Sequence, residues 1–344
     1  MLNPNQFATY REILSQPAAW AQALEITGAL PLPKAADYQQ VIFTGCGSTY
    51  YLSLAAAALY QELTGRAARA VPAGELLLNP HTVLKRHAPR DEKTLLVAVS
   101  RSGTTSETLG AVEAFRRDLV GEVLVISNYA EALSSLADLS IVVKQGQEES
   151  VAQTRSFASL YVAACAFGAR MAGNEALFAS MSRLPEAGER LMATYELFAR
   201  QIGEELGYDR FYFLGSGSRY GLACEANLKM KEMTLTHSEP FHFLEFRHGP
   251  MSMVNRSAVV VGLLSEGNQA HETRVLAEMK LLGGRVVALA ETGAEVEFNS
   301  GLPESVRGVL YLPVLQLMAF YRSLVKGLNP DRPKNLTAVV KLEF

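Results

Sequence analysis

Cysteine is scarce in this chain. Its 344 residues hold three, Cys46, Cys165 and Cys224, far apart and never in a C-x-x-C pair. That spacing argues against a disulfide framework and against a zinc site built on cysteine. An excess of charge of either sign is missing too: 32 basic residues face 35 acidic ones, for a formal net charge of -3. Nothing electrostatic therefore calls for nucleic acid or an anionic membrane as partner. The first residues, MLNPNQFATYREIL, lack the basic-then-apolar layout of a signal peptide. No apolar run approaches the ~20 residues that span a bilayer, and shorter ones such as Leu52–Tyr60 read as buried helix. With 49% hydrophobic and 19% charged residues, the composition excludes disorder as the main state. The expectation is a cytoplasmic globular chain with a sizeable core.

What is present has a rhythm. Gln6 to about Ile26 reads as a helix with Pro17 as a point of interruption. Val41–Thr44 is a short apolar run ending in glycine, which predicts a buried strand. A long alanine-rich helix follows from Ser48, then a short strand at Ala70–Val71. Thr94–Val99, Val123–Ser127 and Leu139–Val143 predict further strands, with a helix over Ser106–Arg117. Strands alternating with helices imply a parallel, doubly wound sheet covered on both faces. The pattern then recurs, with strands predicted at Arg210–Leu214, Ala258–Leu264, Val286–Ala290 and Gly308–Leu312. Corresponding points are Gly45 and Gly215, Ser100 and Ser265, and Val123 and Val286, offset by 170, 165 and 163 residues. Offsets this similar indicate a duplicated α/β unit. The charged helical stretch from Ala172 to Tyr208 reads as linker helices, since it lacks Gly/Ser-rich low complexity.

Ligands of open parallel sheets bind outside the carboxyl ends of the strands. Four polar loops occupy that position: Thr44–Thr49, Ser100–Ser106, Leu214–Ser218 and Ser265–Asn268. The second carries five hydroxyl residues, Ser100, Ser102, Thr104, Thr105 and Ser106, around Gly103. A helix start supplies unpaired N–H groups and partial positive charge, and short hydroxyls add donors. One capped helix needs one such residue, so the surplus points to a phosphate monoester. The loop is not a P-loop, because the G-x-x-x-x-G-K-[ST] spacing is absent, and Gly45-Cys46-Gly47 lacks the third glycine of a dinucleotide fingerprint.

On the helix after the third loop, Glu225, Lys229 and Glu232 fall at i, i+4 and i+7 and share one face, while Lys231 points elsewhere. An ordinary solvated ion pair has the same spacing. Placement directly after a glycine turn favours a functional face instead. The next segment, Thr236–Pro250, holds His237, His242 and His248 among aromatics, with neither helical nor strand period. The histidine spacings lack a short metal-binding pair. His248, leaving the loop toward Gly249-Pro250, is the best acid/base candidate.

These residues resemble sugar isomerase (SIS) domains. Nearly the whole chain resembles the isomerase half of glucosamine-6-phosphate synthases, and also stand-alone phosphosugar isomerases of the glucosamine-6-phosphate deaminase type. The matching segments are Gly45–Tyr50, Ser100–Thr105, Val151–Phe157, the Glu225–Glu232 helix, Arg247–Pro250 and the tail Asp331–Leu336. The glutamine-hydrolysing half is expected to be absent. The resemblance implies an α/β fold of two tandem flavodoxin-like SIS domains. The expected boundaries are 1–30 for an N-terminal helical segment, 31–172 and 206–328 for the two domains, 173–205 for a helical linker and 329–344 for a tail reaching the site. It implies that Ser48, Thr49, Ser100, Arg101, Ser102 and Thr105 hold a sugar phosphate. Val151 and Ala152 would line the sugar. Glu232 would be the base that moves a proton between the first two carbons, and His248 would open the ring, supplied by the neighbouring subunit of a homodimer. Glu225 and Lys229 would support the open chain.

Isomerisation needs a carboxylate to lift a proton from one carbon and return it to the next, through an enediol or enolamine, so no cofactor and no metal are expected. Phosphate binding would anchor the reacting carbons from a distance. Three departures stand out: Ala338 where the synthase tail has lysine, Arg101 where it has glutamine, and Thr104 where it has glutamate. Arg101 is expected to add a cationic contact to the phosphate or to another anionic substituent. The expected function is deamination of glucosamine-6-phosphate to fructose-6-phosphate and ammonia. The alternatives are an aldose–ketose isomerase or deglycase on another 6-phosphosugar, and a non-catalytic phosphosugar sensor.

Overall fold

The computed structural model describes residues 3–84, 93–118, 121–339 and 342. The chain opens on α1 (Ala8–Ala29), which runs through Pro17 without interruption. Proline has no N–H to give the Ile13 carbonyl one turn back. Gln16 Nε2 donates to that carbonyl at 2.8 Å in its place, which is why the expected break does not occur.

Residues group into two compact units. One, the first-sheet unit, comprises Ala18–Gln147, Arg155–Ser182 and Thr337–Phe344. The other, the second-sheet unit, comprises Met1–Pro17, Glu148–Thr154 and Arg183–Leu336.

The first-sheet unit contains β1 (Gln40–Gly45), α2 (Ser48–Thr64), β2 (Ala68–Pro72), β3 (Thr94–Ser100), α3 (Ser106–Asp118), β4 (Gly121–Ser127), β5 (Leu139–Val142) and α4 (Arg155–Met171). All neighbouring strands are parallel, in the order β2-β1-β3-β4-β5. The central strand β3 is buried at every residue, as a strand covered on both faces must be. On one face Ile42, Leu96, Ala98, Val123 and Val125 pack against Ala111, Val112 and Phe115 of α3. On the other, Phe43 meets Tyr60 of α2 at 5.9 Å between ring centres, and Tyr60 stacks on Phe167 of α4 at 5.7 Å.

The second-sheet unit contains α5 (Leu184–Glu204), β6 (Arg210–Leu214), α6 (Ser218–Thr234), β7 (His237–Phe241), β8 (Ala258–Leu263), α7 (Gln269–Leu281), β9 (Arg285–Ala290), β10 (Val296–Glu297) and α8 (Leu312–Val325). Its strands are again all parallel, in the order β7-β6-β8-β9-β10. Both sheets thus have the doubly wound order in which the second strand of each unit lies at one edge. The fold is α/β, with two tandem flavodoxin-like units, as expected.

Besides α1, two elements depart from the sequence reading. Gly308–Leu312 is not a strand: Arg307–Tyr311 is a 3-10 turn leading into α8, with Pro313 in the helix's first turn. A short run buried on all sides has the same pattern in a strand and in a core helix, and Pro313 suits a helix start. The fifth strand is instead the two-residue β10. The second departure is β7, which lies in the histidine-rich segment. Its Pro240 is tolerated because β7 is an edge strand. The stretch Arg307–Val325 is long and apolar enough to cross a membrane by length and composition, yet 89% of it is buried inside the structure, the pattern of a core helix.

The duplication is visible in the turns. Gly47 and Gly217 precede α2 and α6 with φ of 55° and 59°, a region that suits glycine. A Cβ on Gly45 would meet the Thr49 backbone at 2.8 Å, and one on Gly215 would collide with the Arg219 carbonyl.

Candidate active site

In each sheet the strand order reverses between the first and third strands of the unit, and a ligand crevice opens at that point. In the first-sheet unit the flanking loops are Cys46–Gly47 and Arg101–Thr105, after β1 and β3. Ser48 and Thr49, both buried, begin α2. The Thr49 hydroxyl is turned onto its own loop: Oγ1 accepts from the Cys46 amide at 3.0 Å and lies 3.0 Å from the Cys46 carbonyl. Ser100 Oγ accepts from the Gly103 amide at 3.1 Å, and Ser102 Oγ from the Thr104 amide at 3.2 Å. Gly103 has φ +69° and passes the Tyr129 carbonyl so closely that a Cβ would sit 3.2 Å from it. These hydroxyls therefore shape the loop. The Thr105 hydroxyl and the amides of Ser102 and Thr105 have no protein partner among the described residues, which leaves donors at the start of α3 for an anion. Burial pushes the Cys46 thiol above its ordinary pKa, so at neutral pH it is not a thiolate nucleophile.

Arg101 is 8% exposed. Its Nη2 donates to the Ala338 carbonyl at 2.7 Å, and the Leu342 amide donates to Ser106 Oγ at 3.1 Å. This guanidinium thus bonds the C-terminal tail; the sequence reading expected it to contact the phosphate or another anionic substituent. Tail residues 340–341 and 343–344 lie outside the described residues. A hydrogen bond from a charged donor is worth about 1.5–3 kcal/mol. Arg101→Gln should release the tail by that order, read as faster hydrogen exchange at the Leu342 amide.

The corresponding loop of the second-sheet unit is filled by the protein itself. Glu272 Oε2 accepts from the Ser265 amide at 2.6 Å and from its hydroxyl at 3.1 Å. Glu304 Oε2 accepts from the Glu266 amide at 3.2 Å, while its Oε1 pairs with Arg219 at 2.6 Å. Carboxylates stand where an anionic ligand would, so the fourth polar loop of the sequence reading is closed. Burial raises the Glu272 pKa, against the pull of the Ser265 amide and Arg219. A carboxyl raised in the folded state takes up its proton before the unfolded chain does as pH falls, so acidification favours folding at this site until the unfolded group is also protonated. Glu272→Gln should flatten that part of the curve of Tm against pH between pH 7 and the ordinary carboxylate range.

The charged cluster predicted on α6 is present in the second-sheet unit. Lys229 Nζ lies 3.3 Å from Glu225 Oε1 and 2.5 Å from Glu232 Oε2. Burial alone would lower the Lys229 pKa, but the two carboxylates outweigh it and hold the pKa above its ordinary value. Lys229 therefore stays an ammonium ion and is no nucleophile. Exposure separates the three roles: the side chains of Glu225 and Lys229 are 0% and 2% exposed, and that of Glu232 is 19%. Only Glu232 meets solvent, and its Oε1 has no partner among the described residues. Lys231 is exposed on another face.

Val151 and Ala152 group with this same unit. Val151 is half-buried and Ala152 buried. His248 is exposed, just after a 3-10 turn, and makes no hydrogen bond or ion pair with the α6 cluster among the described residues. His242 stacks on Tyr220 at 3.8 Å between ring centres. Sequence reasoning missed Glu12 and Glu304, which pair with partners distant along the chain, and Glu272, which reaches back seven residues to Ser265. Among the described residues no group of three or more His, Cys, Asp or Glu is placed to hold a metal ion. A cavity of ≈ 510 Å³ beside α7, with Arg256, Lys280 and Arg285 in its lining, shares no residue with the candidate site.

Comparison with known proteins places the chain in a family. The family described as SIS domain matches residues 36–170 and 208–296. The chain belongs to the SIS domain family. Its two SIS segments carry the two sheets described above. Among curated relatives, the isomerizing glutamine–fructose-6-phosphate aminotransferase of Pyrococcus horikoshii is 27% identical over 353 residues, covering 97% of this SIS chain and 57% of the relative. The chain thus spans little more than half the length of the curated relatives it matches. Among solved structures, glucosamine-6-phosphate deaminase of Thermotoga maritima aligns with a TM-score of 0.79 and 26% identity, covering 97% of this chain and 100% of that one. The tagatose-6-phosphate ketose/aldose isomerase of Escherichia coli shares the fold, with a TM-score of 0.84 and 23% identity over 96% of this chain and 97% of that one.

Proposed function

We propose that this chain is a phosphosugar isomerase that acts as a glucosamine-6-phosphate deaminase, releasing fructose-6-phosphate and ammonia. The observation that carries the reading is the α6 cluster, in which a buried ammonium holds two carboxylates and exposes one oxygen of Glu232. In the open-chain amino sugar, Glu232 takes the proton from C2. The electrons form a C1–C2 double bond and push the aldehyde pair onto the C1 oxygen, which takes up a proton to give an enolamine. Glu232 returns its proton to C1 as the nitrogen releases one, which leaves an imine at C2. Water adds to that imine, and ammonia departs. His248 assists ring opening, and the reading expects a homodimer that brings this histidine from a second copy. The steps move protons, water and ammonia only, so they call on no redox group.

The anchoring half of the reaction falls to the Ser100–Thr105 loop. Its uncommitted amides and the Thr105 hydroxyl suit a phosphate dianion. Arg101, engaged with Ala338, holds the tail in this reading, while backbone groups of the loop take the phosphate. Val151 and Ala152 line the sugar.

The test is direct. Purified protein is incubated with glucosamine-6-phosphate, and ammonia and fructose-6-phosphate are measured together. Equimolar release supports the reading. Interconversion of another hexose 6-phosphate without ammonia moves the assignment to an aldose–ketose isomerase. Binding without turnover of any 6-phosphosugar moves it to a sensor.

A further inference from the structure

Glu148–Thr154 has no regular secondary structure, so its backbone groups need partners from elsewhere. Two acidic residues in the same unit supply them. Glu12, on α1 and 3% exposed, accepts from the Glu149 amide at 2.6 Å and the Ser150 amide at 3.2 Å through Oε1. Its Oε2 accepts from the Ser150 hydroxyl. The Asp331 carbonyl accepts from the Val151 amide at 2.9 Å. The Asp331 carboxylate in turn takes the Ala8 amide at 3.0 Å and the Thr9 amide and hydroxyl at 2.8 and 2.7 Å. Negative charge is favourable there, at the start of α1. Within the segment, Glu148 Oε1 accepts from the Thr154 amide and hydroxyl, each at 2.8 Å.

A carboxylate buried as deeply as Glu12 is costly to desolvate. Burial and the nearby Glu148 both raise its pKa, and the Ser150 and Glu149 donors oppose them. All three donors come from Glu149 and Ser150, immediately before Val151 and Ala152. An expensive group is thus committed to one two-residue stretch, and Asp331 fixes the next residue.

We propose that Glu12 and Asp331 are positioning residues that brace Glu149–Val151, so that Val151 and Ala152 present a fixed surface to the sugar. This inference rests on the proposed function for its substrate but not for its geometry.

The experiment combines hydrogen exchange with kinetics on the full chain, using glucosamine-6-phosphate as substrate and inorganic phosphate as a separate ligand. Glu12→Ala should speed exchange at the Glu149 and Ser150 amides about tenfold, equivalent to ~1.4 kcal/mol. It should raise KM by a similar factor and leave inorganic phosphate affinity unchanged. Glu12→Gln keeps an acceptor and the volume, and should recover most of both effects. Ser150→Ala removes one hydroxyl and should move the same readouts less, which decides the matter if Glu12→Ala fails to fold. Unchanged exchange at those amides overturns the brace. A parallel loss of phosphate affinity and thermal stability overturns it too, because that marks general loosening. If the wild-type chain turns over no 6-phosphosugar, the sugar-positioning role falls with the functional reading, and the exchange data alone decide whether Glu12 holds the segment.

Discussion

Glu232→Gln should cut turnover of glucosamine-6-phosphate about 10²–10⁴-fold, the range for a general base that transfers a proton in the transition state. The replacement keeps volume and can still accept from Lys229, so substrate affinity should change far less than kcat. Stability should also hold, because the Glu232 side chain reaches solvent while the other two members of the cluster do not. Parallel measurement of kcat, KM and Tm checks this. Activity within threefold of wild type would remove Glu232 from the mechanism.

Lys229→Met should have the largest effect on folding. It leaves the fully buried Glu225 carboxylate without its cation, beside Glu232. Removing one partner of a buried pair costs about 3–5 kcal/mol, read as a lower midpoint of urea unfolding. Adding Glu225→Gln to that variant should recover much of the loss, since the stranded charge is then gone. The pH dependence has a definite sign. The Lys229 pKa is raised in the folded state, so its contribution is fully present below the ordinary lysine value of ~10.4 and is lost as pH rises through the folded value. A Lys229→Met chain as stable as wild type would mean that the ion cluster contributes nothing net.

How much of this was legible in the sequence depends on how local the signal is. Strands such as β3 and β8 carry their own pattern of continuous apolar residues and were placed closely. The glycine turns before α2 and α6 exposed the duplication, because a positive φ and a close backbone approach leave few residues other than glycine. The α6 cluster was readable from helical spacing alone. Elements that depend on distant partners were not. β10 is two residues long and exists through its pairing with β9. Gly308–Leu312 has the composition of a strand, but Pro313 and burial on all sides make it the entry to a core helix. Continuity of α1 through Pro17 depends on the side chain of Gln16, and the Glu12–Ser150 contact spans 138 residues. For the Ser100–Ser106 loop the sequence showed a surplus of hydroxyls but not the backbone amides that they accept from. Thr49, Ser100 and Ser102 each accept from an amide of their own loop, and Arg101 donates to the Ala338 carbonyl.

In the proposed mechanism Glu232 carries a proton between adjacent carbons of a sugar phosphate. Turnover of glucosamine-6-phosphate in D2O, with deuterium at C1 of the fructose-6-phosphate followed by NMR, tests it most directly. The proton on the solvent-exposed Glu232 carboxyl exchanges between its two transfers, so the wild-type chain should place solvent deuterium at C1 and Glu232→Gln essentially none, while both proteins bind the sugar phosphate. Equal incorporation by the two proteins would contradict it.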